Sequence, residues 1–207
     1  MFKGTPERIV QRREEIISAC EKLYQTMSFK EITLKEIGQE TSFSRPTIYN
    51  YFRTKEEIFL ALFEREYMRW NEDLETILDE NDALTNTQIA EKIARSLEKR
   101  EQLLKLLSMN NFDMEANSRQ ELLTTFKAAY GKSMMHIRSI LAKFCPKMSS
   151  EERQTFLYVF YPFMFGIYPY AKATEKQKAA MQAAQVEFQN QSIYEITYTC
   201  LIRLLDQ

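Results

Sequence analysis

Apolar residues recur every three or four positions along most of the 207-residue chain, which is the period of one face of an α-helix. The clearest stripe runs from Leu123 to Phe144, with apolar side chains spaced by 3, 4, 4, 3, 4 and 3 residues. A second stripe runs from Phe59 to Ile77. Because the chain also has only four glycines and five prolines, these patterns predict an all-α fold.

Helix starts are predicted where Ser or Thr precedes Glu or Gln by three residues, because the two side chains can satisfy the unpaired amides of a first turn. The helices are predicted to begin near Thr5, Thr33, Ser44, Thr54, Thr85, Leu103, Ser118, Ser149, Thr174 and Phe188. Residues 110–117 are predicted to form a loop, and Pro146 is predicted to end the long helix before it.

The least polar stretch of the chain is Phe156–Tyr170, which has 15 residues without a charge. It is shorter than the roughly 20 residues that a membrane-spanning helix needs. The stretch predicts a helix that is buried on nearly all sides. We also expect a kink near Pro162, because proline removes a backbone hydrogen bond.

The stretch from Thr33 to Lys55 contains three predicted helix starts, and only residues 41–43 separate the first two helices. Two short helices joined so tightly must cross steeply, as in a helix-turn-helix unit. A small apolar core is supplied by Ile32, Leu34, Ile37, Phe43, Ile48 and Phe52. The second helix is left with the outward-facing side chains Arg45, Thr47, Tyr49, Asn50 and Tyr51. These are rich in donors that suit phosphate oxygens and base edges.

This stretch resembles the DNA-binding domain of TetR-type repressors over about the first third of the chain. The resemblance is carried by Thr33, Gly38, Ser44, Thr47, Tyr49, Tyr51, Phe52 and Lys55. The turn departs from the family pattern, since Ser42 stands where the family usually has glycine. A serine in the left-handed conformation would be strained.

The resemblance implies a DNA-binding domain over residues 6–67, with the helix-turn-helix at 33–52, and a ligand-binding and dimerisation domain over 68–207. By carry-over, the candidates for base contacts are Arg45, Thr47 and Asn50. The candidates for phosphate contacts are Thr33, Lys35, Tyr49, Tyr51 and Lys55. The implied function is a ligand-responsive repressor that binds a palindromic DNA operator as a homodimer. We expect the dimer to form through Phe156–Tyr170 and Phe188–Leu205, because so apolar a surface needs a partner.

The family also raises the hypothesis of a ligand cavity in the body of the protein. Its candidate lining is Trp70, Met109, Phe126, Tyr130, Met134, Phe163, Met164 and Tyr168. Methionine and aromatic side chains typically line pockets for small apolar or amphiphilic ligands. The same residues are also compatible with an ordinary core.

Charge and chemistry add little to this interpretation. Residues 1–55 carry 10 Lys/Arg against 7 Asp/Glu, and the remainder carries 18 against 22, a mild asymmetry that a solvated surface explains equally well. The three cysteines fit reduced thiols in a cytoplasmic protein. No catalytic, metal-binding or phosphate-loop motif is evident, so we expect no cofactor, metal or membrane partner.

Two alternatives to a DNA-binding regulator remain open. One is a helical interaction module, and the other is an enzyme on a helical scaffold.

Overall fold

The computed structural model describes residues 5–109 and 111–206, and all of the regular structure within them is α-helical. The predicted all-α fold class is therefore confirmed. The helices are α1 (Pro6–Thr26), α2 (Leu34–Gln39), α3 (Arg45–Ile48), α4 (Lys55–Asp79), α5 (Asn86–Glu98), α6 (Glu101–Leu107), α7 (Asn111–Ala116), α8 (Gln120–Phe144), α9 (Ser150–Ala171), α10 (Glu175–Ala183) and α11 (Ile193–Leu205). None of these helices is long and apolar enough to cross a membrane.

The described chain divides into two compact units. The head unit comprises residues 5–65 and 111–128, and the body unit comprises residues 66–109 and 129–206. Both α4 and α8 begin in the head unit and continue into the body unit. The domain division predicted from the sequence placed 111–128 with the body.

The head unit has its own apolar core beneath the helix-turn-helix. Ile16 and Cys20 of α1, Ile37 of α2 and Ile48 of α3 are fully buried. Phe59 of α4 completes this core and is also fully buried. Ile37 and Ile48 were both predicted to lie in the core of the helix-turn-helix, and their burial leaves Arg45, Tyr49 and Asn50 exposed.

The body unit is built by α5 packing against α11, while α6 and α11 pack against α9. Its interior is strongly aromatic: the ring of Tyr130 lies 5.6 Å from that of Tyr67 and 5.5 Å from that of Tyr161. The Trp70 ring lies 6.2 Å from the Tyr161 ring. The two contacts of Tyr130 are edge-on, an arrangement that is favourable because ring edges and faces carry opposite partial charges.

Several predicted helix starts are confirmed and others are corrected. Full capping boxes form at Thr85 and at Ser149. The Thr33 hydroxyl accepts the Lys35 amide rather than the expected third amide of the helix. Ser44 occupies the N-cap of α3 but makes no capping hydrogen bond through its side chain. Ser118 lies one residue before the N-cap position of α8, which begins at Gln120, and its hydroxyl donates to the carbonyl of Met114.

Two further helix boundaries differ from the predictions. The expected loop at 110–117 contains α7, a six-residue helix, while Asn110 itself lies outside the described residues. The last helix begins at Ile193 rather than Phe188, because Ser192 and Glu195 form a full capping box there.

The expectation that Phe156–Tyr170 is buried on nearly all sides is wrong for the single chain. Phe160 and Met164 of α9 are fully buried, but Tyr158 is 68% exposed and Phe165 is 44% exposed. The stretch lies within a single helix that includes Pro162. One side of α9 therefore packs in the body unit while the other presents aromatic side chains to solvent.

Candidate functional site

The helix-turn-helix is formed by α2, α3 and the turn between them. The Thr41 hydroxyl stabilises this turn by contacting the carbonyl oxygens of Gly38 at 3.0 Å and Phe43 at 3.2 Å. Ser42 does not adopt the left-handed conformation, since Gln185 is the non-glycine residue with positive φ in the described chain. The absence of the family's glycine thus causes no backbone strain in this turn.

Helix α1 contacts the turn and the segment that follows α3. The Arg12 guanidinium lies 5.7 Å from the centre of the Phe43 ring, and that of Arg13 lies 5.4 Å from the centre of the Phe52 ring. The Glu15 carboxylate accepts a hydrogen bond from the Ser42 amide. These cation–π and hydrogen-bond contacts fix the turn against α1.

The candidates for base contacts lie on and just after α3. Arg45 and Asn50 are exposed, and Thr47 is half-buried with its hydroxyl 3.3 Å from that of Ser44. The Arg45 Nη2 donates to the Tyr49 hydroxyl at 3.2 Å, which holds the two side chains together on the outer surface. The structure thus joins an exposed arginine to a phenol, and the exposed amide of Asn50 follows directly in the chain.

The candidates for phosphate contacts occupy different environments. Thr33 and Lys35 are exposed at the start of α2, and Tyr51 is half-buried. The Lys55 ammonium donates to the carbonyl oxygens of Phe29 at 2.7 Å and Ile32 at 3.2 Å. Lys55 therefore has a clear structural role in joining the start of α4 to the segment before α2.

Sequence reasoning missed an ion pair in the head unit, in which the carboxylate is buried and the guanidinium is partly exposed. The Arg119 guanidinium donates to both oxygens of Glu57, at 2.7 and 2.9 Å, and Glu57 is 1% exposed. Burial raises the pKa of the Glu57 carboxyl, but hydrogen bonds from Arg119 and from the Arg53 and Arg119 amides outweigh it and lower the pKa below the usual value. A hint was present in the sequence, since Glu57 stands directly before the apolar run that begins at Ile58.

The residues predicted to line a ligand cavity are divided between the two units. Phe126 belongs to the head unit, where its ring lies 4.8 Å from that of Phe63. The others belong to the body unit, where Trp70 and Met164 are fully buried. The half-buried members are Met109, Tyr130, Met134, Phe163 and Tyr168.

The aromatic interior of the body unit also contains paired polar groups. The Trp70 Nε1 donates to the Ser96 hydroxyl at 2.9 Å, and the hydroxyls of Ser133 and Tyr161 are 2.8 Å apart. Burial raises the pKa of Tyr161, so this phenol is neutral and remains a hydrogen-bond donor at physiological pH. No group of His, Cys, Asp and Glu suited to a metal ion occurs among the described residues.

A helix-turn-helix with exposed donors, carried by a larger helical body, defines a class of DNA-binding transcriptional regulators. Residues 16–62 match the sequence profile of bacterial regulatory proteins of the tetR family. Residues 64–190, more than half of the chain, match the profile of the tetracyclin repressor-like C-terminal domain. The chain therefore belongs to the TetR family of transcriptional regulators, as its resemblance implied.

Individual relatives are distant. The uncharacterized HTH-type transcriptional regulator YfiR of Bacillus subtilis (strain 168) is 34% identical over 62 residues, which span only 30% of this chain and 30% of that protein. A TetR-family regulator from Marinobacter aquaeolei VT8 shares the fold with a TM-score of 0.61, at 14% identity over 91% of this chain and 96% of that one. The regulator FadR from Bacillus subtilis, solved in complex with stearoyl-CoA, has a TM-score of 0.59 at 17% identity, covering 93% of this chain and 97% of that one.

Proposed function

We propose that this regulator is a repressor that binds a palindromic DNA operator as a homodimer and responds to a small apolar or amphiphilic ligand. The observation that carries the proposal is the exposure of Arg45, Tyr49 and Asn50 on and just after α3, with the Arg45 guanidinium bonded to the Tyr49 hydroxyl. Arginine and asparagine are the side chains that make bidentate contacts with guanine and adenine. A purely structural packing motif has no need of such groups on its outer face.

Phosphate contacts are proposed to position this surface on the duplex. Thr33 and Lys35 present a hydroxyl and an ammonium at the start of α2. Tyr49 and Tyr51 are proposed to contact phosphates through their phenol hydroxyls. Lys55 uses two of its three ammonium donors on backbone carbonyls, which leaves one for a phosphate oxygen.

The proposed dimer uses the aromatic side of α9 together with α11. Tyr158, Val159, Pro162 and Phe165 follow one another at helical spacing, and all four are exposed in the single chain. A two-fold interface buries the same patch on both copies. Such a dimer also supplies the two recognition elements that an inverted repeat requires.

The ligand is proposed to bind in the body unit, at its aromatic and methionine-rich interior. Neutral hydroxyls such as that of Tyr130 would supply the few polar contacts that orient a ligand in a mostly apolar site. FadR from Bacillus subtilis was solved with an acyl-CoA, which supports an amphiphilic ligand here. A ligand alters operator affinity only if it binds the DNA-competent and DNA-incompetent arrangements with different affinity.

The proposal is tested by fluorescence anisotropy with duplexes tiled across the DNA that flanks the coding region. We expect one fragment containing an inverted repeat to bind tightly, with an affinity that falls steeply as salt increases. A thermal-shift screen of hydrophobic and acyl compounds then identifies ligands, and each is added to the operator titration. If the protein binds none of the duplexes, the alternative of a helical interaction module is favoured.

A further inference from the structure

The recognition element α3 is only four residues long. A single helical turn is not stable by itself, because nucleation fixes several backbone angles for few hydrogen bonds. After it, the amides of Asn50, Tyr51 and Phe52 return to the carbonyls of Thr47 and Ile48 in a series of turns. The position of the exposed donors therefore depends on groups outside α3.

One of these groups is Arg119, which directly precedes α8. Its Nη2 donates to the Tyr51 carbonyl at 2.9 Å, at the end of the recognition element. The same guanidinium holds Glu57 in α4 through two hydrogen bonds. Glu57 in turn accepts the backbone amides of Arg53 at 2.7 Å and Arg119 at 3.2 Å. One buried carboxylate thus joins three separate segments of the head unit.

A second contact lies beside this one. The Thr54 hydroxyl donates to the carbonyl of Asn117 at 3.1 Å. The turn that leads from α3 into α4 is therefore attached at two points to the segment just before α8. Because α8 continues into the body unit at residue 129, these contacts lie at the head-unit end of a helix that the two units share.

We propose that Arg119 is a positioning residue for DNA recognition: it sets the place of Tyr51, and with it that of Tyr49 and Asn50, relative to α4. The inference rests on the proposed DNA-binding function and adds a residue that contacts no base. Arginine is required because its planar fork can hold both Glu57 oxygens and a carbonyl at once, which a lysine ammonium cannot do with the same geometry.

The test compares Arg119→Lys with Arg65→Lys. Arg65 is a matched control, since it also joins head-unit helices, pairing with Glu14 at 3.3 Å and Glu21 at 2.8 Å. Affinities for an operator duplex and for a scrambled duplex are measured by anisotropy, at a temperature where circular dichroism shows both variants folded. We expect Arg119→Lys to lower the ratio of the two affinities roughly 2- to 30-fold, the range typical of residues that act indirectly.

The salt dependence separates positioning from direct contact. For Arg119→Lys, an unchanged salt slope with a lower affinity ratio supports the inference, because no phosphate contact has been removed. An unchanged ratio, or an equal fall in Arg65→Lys, overturns it and leaves Arg119 as a structural residue only. Failure of the wild-type protein to prefer any duplex refutes the proposed function instead.

A second variant covers the case in which Arg119→Lys does not fold. Glu57→Gln keeps the side-chain length and one acceptor oxygen but loses the paired fork. Backbone NMR of this variant should show shifted amides at Tyr49, Asn50 and Tyr51, with body-unit amides unchanged. Unshifted amides in these three residues would contradict the inference.

Discussion

At the scale of single residues, the head unit separates base-reading candidates from groups that hold the backbone. Arg45 and Asn50 are exposed, whereas Lys55 and Arg119 bind carbonyl oxygens of their own chain. Mutations in the two sets should therefore have different signatures.

Arg45→Ala should reduce discrimination between operator and random DNA by about 1–3 kcal/mol, because the proposed bidentate contact with guanine would be lost. Lys35→Ala is the control for a phosphate contact. It should weaken binding to both duplexes and lower the salt slope by about one unit. Anisotropy titrations at several salt concentrations measure both effects. If Arg45→Ala lowers the affinities for operator and for random DNA by the same factor, Arg45 reads no base.

Glu57→Gln should destabilise the protein at neutral pH by about 1–3 kcal/mol. This is less than the roughly 3–5 kcal/mol for breaking a fully buried pair, because Arg119 is one-third exposed. Urea unfolding followed by circular dichroism measures the difference.

The same variant has a definite pH dependence. The folded-state pKa of Glu57 lies below its ordinary value of 4.5. The carboxylate therefore contributes stability above pH 4.5, and this contribution is lost as pH falls through the folded-state pKa. The difference in unfolding free energy between wild type and Glu57→Gln should shrink across that interval. A difference that stays constant with pH would contradict this assignment.

At this scale, the sequence predicted which side chains of the helix-turn-helix are exposed, but not the ion pair that holds its backbone. The exposed positions of Arg45 and Asn50 followed from which residues of the helix-turn-helix were apolar. The partner of Glu57 could not be predicted, since Arg119 is 62 residues away in the chain and no local pattern links them. Glu57 was instead assigned to a capping box, of which only the Thr54 half forms.

At the scale of elements, the end of α10 shows a strained conformation. Gln185 has a φ of 56° and directly follows Ala184, the C-cap of the helix. The Val186 amide reaches the Met181 carbonyl and the Gln185 amide reaches the Gln182 carbonyl, the two hydrogen bonds of a Schellman motif. Glycine is the residue that tolerates this position best.

Gln185→Gly should therefore stabilise the end of α10 by about 0.5–1 kcal/mol. Ala179→Gly in the interior of the same helix is the control and should destabilise it by about 1 kcal/mol. Because α10 has no buried residue, local hydrogen exchange of its amides is the appropriate measurement. Faster exchange in Gln185→Gly than in wild type would contradict the expectation.

Two helix starts were predicted correctly because a side chain of the chain segment itself caps the helix. Thr85 and Ser149 satisfy their helices locally, so the sequence pattern sufficed. The short helix α7 was missed because six residues give too little periodicity. The start of α11 was placed too early although the pattern of Ser192 and Glu195 was present in the sequence.

At the scale of the whole molecule, the sequence predicted an all-α regulator but not the composition of its units. Segment 111–128 belongs to the head unit although it follows residues of the body unit in the chain. Apolar periodicity identifies which face of a helix is buried, but it does not identify the partner. The boundary predicted after residue 67 falls within α4, but these stripes could not predict that α8 is also divided between the units.

The exposed side of α9 makes dimerisation testable. Tyr158→Glu combined with Phe165→Glu should give a monomer, because two charges would be desolvated in an apolar interface. Met68→Glu is the control, since Met68 is 53% exposed on α4, outside the proposed interface. Light scattering at micromolar concentration measures the mass. A wild-type monomer, or a dimer that persists in the double variant, would rule out this interface.

The central claim is that the chain recognises DNA sequence as a dimer through α3. The most direct test is selection of duplexes from a random library by the wild-type protein, followed by measurement of the mass of the complex. We expect enrichment of a single inverted repeat that binds two chains, and loss of that enrichment with Arg45→Ala. Recovery of unenriched sequences, or of a motif bound by one chain, would contradict it.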